Sequence, residues 1–410
     1  MSSKKVFDYK WVIVGVSAFM VFVVLGFFGS TKGLFIKAVT EALSIPRSTY
    51  SFNDSLRFIT TAIVNVFFGT LVMRFGTKKL IAAGFCCLIA SSVLYSVATN
   101  VFTIYAGGIL LGVGSSWTTT TIVGYIVNQW CKEKKGTIMG FILASNGIGI
   151  AIATQILSPI INESVFSYRN AYRIIAAILA SAFVIIMLLL KNKTTTVESE
   201  PVKDEHKGHK ESYSGSKLYY FSILLCIFFT GMTLQGVCGI STPLLYDVGI
   251  DKTFVATAIG VHSIALTIFK FLTGYIYDKF GIRFTSNMCL CASIVSFISL
   301  ICASNGVLGN ESTMVYQILS SLALPLETIM LPLYAGEFFD KKIYGKALGI
   351  FVSFNTAGYA VGAPLSNVCY DIYGNYNISL YAGLGLIIFV MICMNFIITA
   401  SNHRHKELDN

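Results

Sequence analysis

A dozen apolar runs, each close to twenty residues long and separated by short polar breaks, constrain this chain more than any motif in it. A helix needs about 20 such residues to cross a hydrocarbon core. The runs are Trp11 to Lys32, Ser51 to Met73, Leu80 to Ala98, Ile104 to Val127, Thr137 to Ile161 and Ala171 to Leu190. After a break follow Leu218 to Leu244, Thr253 to Tyr277, Ser286 to Cys302, Met314 to Ala335, Leu348 to Cys369 and Ile378 to Ala400. Backbone groups in lipid must be satisfied within the segment, and barrel strands would alternate over about ten residues, so these runs predict helices. The expectation is an all-α polytopic membrane protein with twelve transmembrane helices. Hydrophobic residues at 55%, charged ones at 12% and a mean hydropathy of +0.71 agree with that class.

The break from Lys191 to Lys217 is rich in Lys, Glu, Ser and Thr and has no apolar face. It reads as a flexible linker between six-helix halves at residues 1–190 and 218–410. The start of the chain through Lys10 is too short and polar for a cleavable signal, so the first run is expected to stay as a span. Lys4, Lys5, Lys10, Arg74, Lys78, Lys79, Lys132, Lys134, Lys135, the linker lysines, Lys279, Arg283, Lys341, Lys342, Lys346, Arg404 and Lys406 all fall on one side. Only Lys32, Lys37, Arg47, Arg169, Arg173 and Lys252 fall on the other. By the positive-inside rule both termini are expected in the cytoplasm and the protein in the plasma membrane. That asymmetry accounts for the net charge of +10 without a nucleic-acid partner. The ten cysteines lie mostly in apolar runs and show no disulfide or zinc spacing. No cofactor or metal is expected, no nucleophile–base set appears, and an enzyme is the least supported class.

The halves repeat one another. Gly69, Gly76 and Lys78 recur as Gly274, Gly281 and Arg283, whereas Gly136, Gly140, Asn146 and Gly149 recur as Gly345, Gly349, Asn355 and Gly358 at one offset of 209 residues. A parallel duplication of six helices is the implied origin. The other glycines, such as Gly107 and Gly112, read as sites of close helix approach rather than a nucleotide loop, since no strand precedes them.

Two charges sit at depth, and two more at the outer end of span 2. Lys270 lies in an otherwise uncharged run, about 12 Å of helix rise from Asp278. A lysine near the middle of a span costs roughly 2.5–3.5 kcal/mol on insertion scales. It either snorkels toward water or presents a cation to a water-filled cavity, where a substrate carboxylate would take charge-assisted hydrogen bonds. Glu327 lies at a similar level in the tenth span, next to Pro325. It is either a partner that compensates Lys270 and couples substrate binding to protonation, or a structural acid bonded to helix hydroxyls. Asp54 and Arg57, at i and i+3, make an interfacial ion pair or, with Lys32, an outer gate. His262, two turns from Lys270, is a proton relay or a buried hydrogen-bonded histidine. Trp117 with Thr118 to Thr121, Gln235 and Asn355 are candidates to line the cavity, though packing positions look the same in sequence.

Over nearly its whole length the chain resembles the major facilitator superfamily. That family carries Gly-x-x-x-Asp-Arg-x-Gly-x-Lys-Lys after its second helix. Here it reads Gly69, Met73, Arg74, Gly76, Lys78 and Lys79, with methionine in place of the acid; the second copy, Gly274, Asp278, Lys279, Gly281 and Arg283, restores it. The resemblance implies a conformational latch at these residues, weakened in the first copy by Met73. Within the superfamily the chain is similar to the monocarboxylate transporters and the oxalate/formate antiporters. Tyr9 to Gly15, the stretch Gly29 to Phe35 with Lys37, and Lys270 four residues before Gly274 carry the likeness. The implied function is secondary transport of a small organic anion by a monomer, with protons or a counter-anion as the coupling partner and the lipid bilayer as its surroundings. Phe354 to Val361 lacks the second lysine of dicarboxylate exchangers, and Leu266 stands where proton-coupled carriers often keep an aspartate. A dicarboxylate, a neutral or zwitterionic solute or drug, and a non-transporting sensor are the alternatives.

Overall fold

The computed structural model describes residues 9–161, 163–164, 166–191, 217–340 and 342–409, and these are helical throughout, with no strand among them. Span 1 is α1 (Tyr9–Val21), a π-helical stretch (Phe22–Gly29) and, past a break, α2 (Lys32–Leu43). Lys32 therefore opens a further helix rather than ending the span. Span 2 is α3 (Arg47–Val66) with the start of α4 (Phe68–Val97), and the rest of α4 is span 3. Span 4 is α5 (Val101–Ser116) and α6 (Thr120–Trp130); spans 5 and 6 are α7 (Lys135–Ile161) and α8 (Tyr168–Leu189). Span 7 is α9 (Lys217–Asp247), and α10 (Lys252–Ser304) holds spans 8 and 9. Span 10 is α11 (Gly309–Ala323), α12 (Pro325–Thr328) and α13 (Met330–Phe338), and spans 11 and 12 are α14 (Tyr344–Tyr373) and α15 (Asn377–Asp409). Residues 192–216 of the expected linker, Lys4, Lys5 and Lys341 lie outside the described residues, as do the side chains of Arg47, Lys252, Arg404 and Lys406.

The repeated loop glycines are where one helix turns into the next. Gly76 (φ 77°, ψ 164°) interrupts α4 and Gly281 (φ 76°, ψ −179°) interrupts α10 in the same backbone conformation. A side chain at that φ would be strained, which is why glycine stands in both copies.

The halves meet along two seams, span 2 against span 11 and span 5 against span 8. At Gly136 a Cβ would lie 2.4 Å from the Gly274 carbonyl oxygen, so only two glycines allow these backbones to approach. Asp278 accepts from the backbone N–H groups of Gly136 (2.9 Å) and Thr137 (2.6 Å), two of the orphan donors at the start of α7. Met73, its counterpart in the first copy, is exposed. Arg74 and Arg283 are exposed too and make no ion pair among the described residues. Tyr344 Oη donates to the Gly124 carbonyl (3.1 Å) and Ser353 Oγ to that of Ala62 (2.7 Å), further joining the halves. We call the end that holds Gly76, Asp278 and Gly281 the latch end.

Candidate functional site

Three spans are broken beside one central cavity. Span 1 passes through the π-helical stretch and unwinds at Ser30, span 4 breaks between Ser116 and Thr120, and span 10 breaks on both sides of α12 with a 42° bend. The breaks in spans 4 and 10 fall at the offset of 209 that relates spans 5 and 11, so Thr118 and Glu327 are equivalent positions. Pro332 accounts for the bend at Ile329, since it has no N–H to donate to the Thr328 carbonyl one turn earlier, and Pro325 likewise removes a bond at the start of α12. In span 4 the hydroxyls of Thr118 and Thr119 bond back to the carbonyls of Gly114 and Ser115 instead. Discontinuous helices near mid-membrane expose backbone and short polar side chains where the surrounding spans stay apolar.

The cavity encloses about 330 Å³, at the low end for small-molecule sites. Both halves line it: Arg57, Asn65 and Asn146 from the first, Gln235, Lys270 and Glu327 from the second, with Phe58, Leu266 and Val352 as apolar wall. A larger recess of about 560 Å³ lies elsewhere, against the exposed rings of Trp11, Phe141 and Phe271, and holds none of the mid-span charges.

Lys270 is 6% exposed, faces the cavity, and makes no hydrogen bond or ion pair among the described residues. Its backbone is in the seam, because a Cβ at Gly140 would lie 2.5 Å from the Lys270 carbonyl oxygen. Of the two readings of Glu327, the pairing with Lys270 is not formed. Glu327 Oε2 accepts instead from Gln235 Nε2 (2.9 Å) and Tyr359 Oη (3.1 Å), so the acid is compensated by neutral donors and the lysine is left open to the cavity.

Arg57 donates to the Gly29 carbonyl (3.0 Å), lies over the Phe58 ring and lines the cavity. Asp54 is 3.7 Å from Arg57 and 2.6 Å from Lys32, so the three form the cluster considered as a gate. His262 is not at the cavity. Its Nδ1 is 2.8 Å from the Gln317 carbonyl oxygen and 3.2 Å from Ser320 Oγ, which makes it a tie between α10 and α11. Trp117 is also absent from the lining; it packs on the core at the span 4 break, while Ser115, Ser116 and Thr119 to Thr121 face the cavity. Asn355 and Gln235 do line it, and Asn355 Nδ2 also bonds the Ile227 carbonyl (3.3 Å).

Asn146, named from the sequence only as the repeat partner of Asn355, and Asn65 were not among the expected cavity residues. The repeat was the available signal. At the offset of 205 residues that relates Gly69 to Gly274, Asn65 corresponds to Lys270. Among the buried polar side-chain atoms left without a hydrogen bond are Arg57 Nε, Asn146 Oδ1, Glu327 Oε1 and Thr328 Oγ1, all on residues lining this cavity. An unsatisfied buried polar atom costs about 1–3 kcal/mol, so their concentration here marks a place built for something else to bind.

A polytopic bundle of two related halves, broken helices and a polar central cavity between them defines a membrane transporter. The Major Facilitator Superfamily family model matches residues 12–235 and 223–409, and the chain belongs to that superfamily. Among curated relatives, the uncharacterized transporter YcxA of Bacillus subtilis is 24% identical over 379 residues, covering 90% of each chain. The sialic acid transporter NanX of Escherichia coli is 22% identical over 343 residues, 82% of this chain and 80% of its own. Of the solved structures, the proton:xylose symporter XylE superimposes with a TM-score of 0.79 at 14% identity, covering 96% of this chain and 97% of XylE. FucP in its outward conformation gives 0.71 at 14% identity, covering 95% and 99%. These likenesses carry the fold.

Proposed function

We propose that the chain is a secondary active transporter of a small organic monocarboxylate, working by alternating access of its two halves. The observation that supports this most is the buried, uncompensated Lys270 ammonium in a cavity between the halves. A cation held in low dielectric with no acid beside it is poised for an anionic solute, whose carboxylate would replace lost hydration with charge-assisted hydrogen bonds. The neutral counterpart Asn65 leaves one such lysine rather than two. NanX is itself named for an acid. Glu327 is the group proposed to carry the coupling proton. We place the latch end and both termini in the cytoplasm, with the protein in the plasma membrane as a monomer. The resemblance to monocarboxylate transporters and oxalate/formate antiporters belongs to this reading.

One observation favours a dicarboxylate as the second reading: Arg57 brings another cation to the same cavity from the opposite half. Its charge is shared with Asp54, which weakens that reading. Counterflow in proteoliposomes with formate, lactate, pyruvate and oxalate, each with and without a pH gradient, separates the two. Lys270→Gln is expected to abolish counterflow of every acid the parent carries, and Lys270→Arg to retain part of it. Parental rates in Lys270→Gln would refute the anchoring role, and oxalate carried in preference to lactate would select the second reading.

A further inference from the structure

A bare carboxylate leaves half of this cavity unanswered. Lys270 Nζ and Arg57 Nε are donors, and a carboxylate is an acceptor only, so it suits them. Glu327 Oε1 and Asn146 Oδ1 are acceptors, buried, and without a partner. Both residues line the cavity, one from each half. A short acid with an aliphatic tail would set methylene groups against both oxygens and bring its own charge into the cavity that holds the Glu327 carboxylate. Thr328, next to Glu327 on α12, adds a hydroxyl that is likewise unpaired. Further polar groups line the cavity, the amide of Gln235 and the hydroxyls of Thr119, Thr120 and Thr356, of which Gln235, Thr119 and Thr356 already donate within the protein.

From this arrangement we infer that the solute is a hydroxylated monocarboxylate, with its carboxylate on Lys270 and hydroxyl groups donating to Glu327 Oε1 and Asn146 Oδ1. The inference rests on the monocarboxylate reading and narrows it to the sugar-acid class. Hydroxyls fit because each both donates and accepts, which satisfies Glu327, Asn146 and Thr328 together. An α-ammonium group would also donate, but in an α-amino acid it would stand beside the Lys270 ammonium that holds the neighbouring carboxylate. Size agrees: a cavity of about 330 Å³ is within the range of small-molecule sites.

The test is titration calorimetry on the full chain in nanodiscs with acids matched in carbon number: lactate against propionate, and gluconate against hexanoate and norleucine. Gluconate is expected to bind at least tenfold more tightly than hexanoate, because a site built to hydrogen-bond hydroxyls discriminates strongly against analogues lacking them. Asn146→Leu and Glu327→Gln should shrink that ratio, with a parental thermal unfolding temperature showing that the variants fold. Equal or tighter binding of hexanoate, or of norleucine, overturns the inference. If hexanoate and gluconate bind equally and both are lost in Lys270→Gln, the hydroxyl inference falls alone; if none of these acids binds, the monocarboxylate reading falls with it.

Discussion

Asp278→Asn tests whether the end-to-end seam is a latch. The carboxylate accepts two backbone N–H groups at the first turn of α7, at 2.9 and 2.6 Å. Hydrogen bonds to a charged group contribute about 1.5–3 kcal/mol, and a negative charge at a helix N-terminus adds roughly 0.3–1 kcal/mol. Asparagine keeps one acceptor oxygen and loses the charge and the second bond. Asp278 is solvent-exposed, so screening brings the net effect to about 1–2 kcal/mol, or roughly a 5- to 30-fold shift toward states open at the latch end. Val127 is buried in a recess at that end with Lys135, Tyr277 and Glu337. With the ten native cysteines replaced, alkylation of Val127→Cys by an impermeant reagent reads the open population directly when opening and closing are fast. Labelling should accelerate by that factor in Asp278→Asn. Met73→Asp, which supplies the acid missing from the first copy, should slow it. Identical labelling in parent and Asp278→Asn would refute the latch.

Three further outcomes follow from the geometry. Gly274→Ala puts a Cβ 2.0 Å from the Gly136 carbonyl oxygen, so the seam should fail to close and uptake should fall at least tenfold while Val127→Cys labels faster. Glu327→Gln should bring the ratio of uptake with and without a pH gradient to one while exchange persists; an unchanged ratio removes Glu327 from coupling. His262→Gln should leave that ratio untouched and lower thermal stability by about 1 kcal/mol, the net worth of its bond to the Gln317 carbonyl.

The number and order of spans were legible because length and apolarity alone set them in a bilayer. The duplication was legible too, through glycines repeated at fixed offsets, but which spans meet across the halves was not. Which side of a span faces the cavity was not. In a soluble helix polarity separates core from solvent, but here the lipid-facing and protein-facing sides are both apolar and the pattern blurs. Hence Trp117 and His262, plausible by type and depth, stand off the cavity, whereas Arg57 turns into it. The break in span 10 has prolines on both sides of it, Pro325 and Pro332, but was not read from them, and the matching break in span 4 has no proline and rests on threonines bonding their own helix. Lys270 and Glu327 were found by cost, since a charge in an apolar run stands out whichever way it points. Their failure to pair was not legible, because it depends on Gln235 and Tyr359 reaching the acid from other spans.

The duplication makes the asymmetry of the halves informative. Lys270 replaces Asn65, Glu327 replaces Thr118, and Asp278 replaces Met73. The second half thus concentrates the proposed anchor, proton carrier and latch, and the first contributes mostly neutral hydrogen-bonding groups with Arg57 at its outer end. Lys270 joins two of these functions in one residue, since its side chain lies in the cavity and its carbonyl is packed against Gly140 in the seam. A latch-end opening that separated this contact would change the surroundings of the ammonium at the same time.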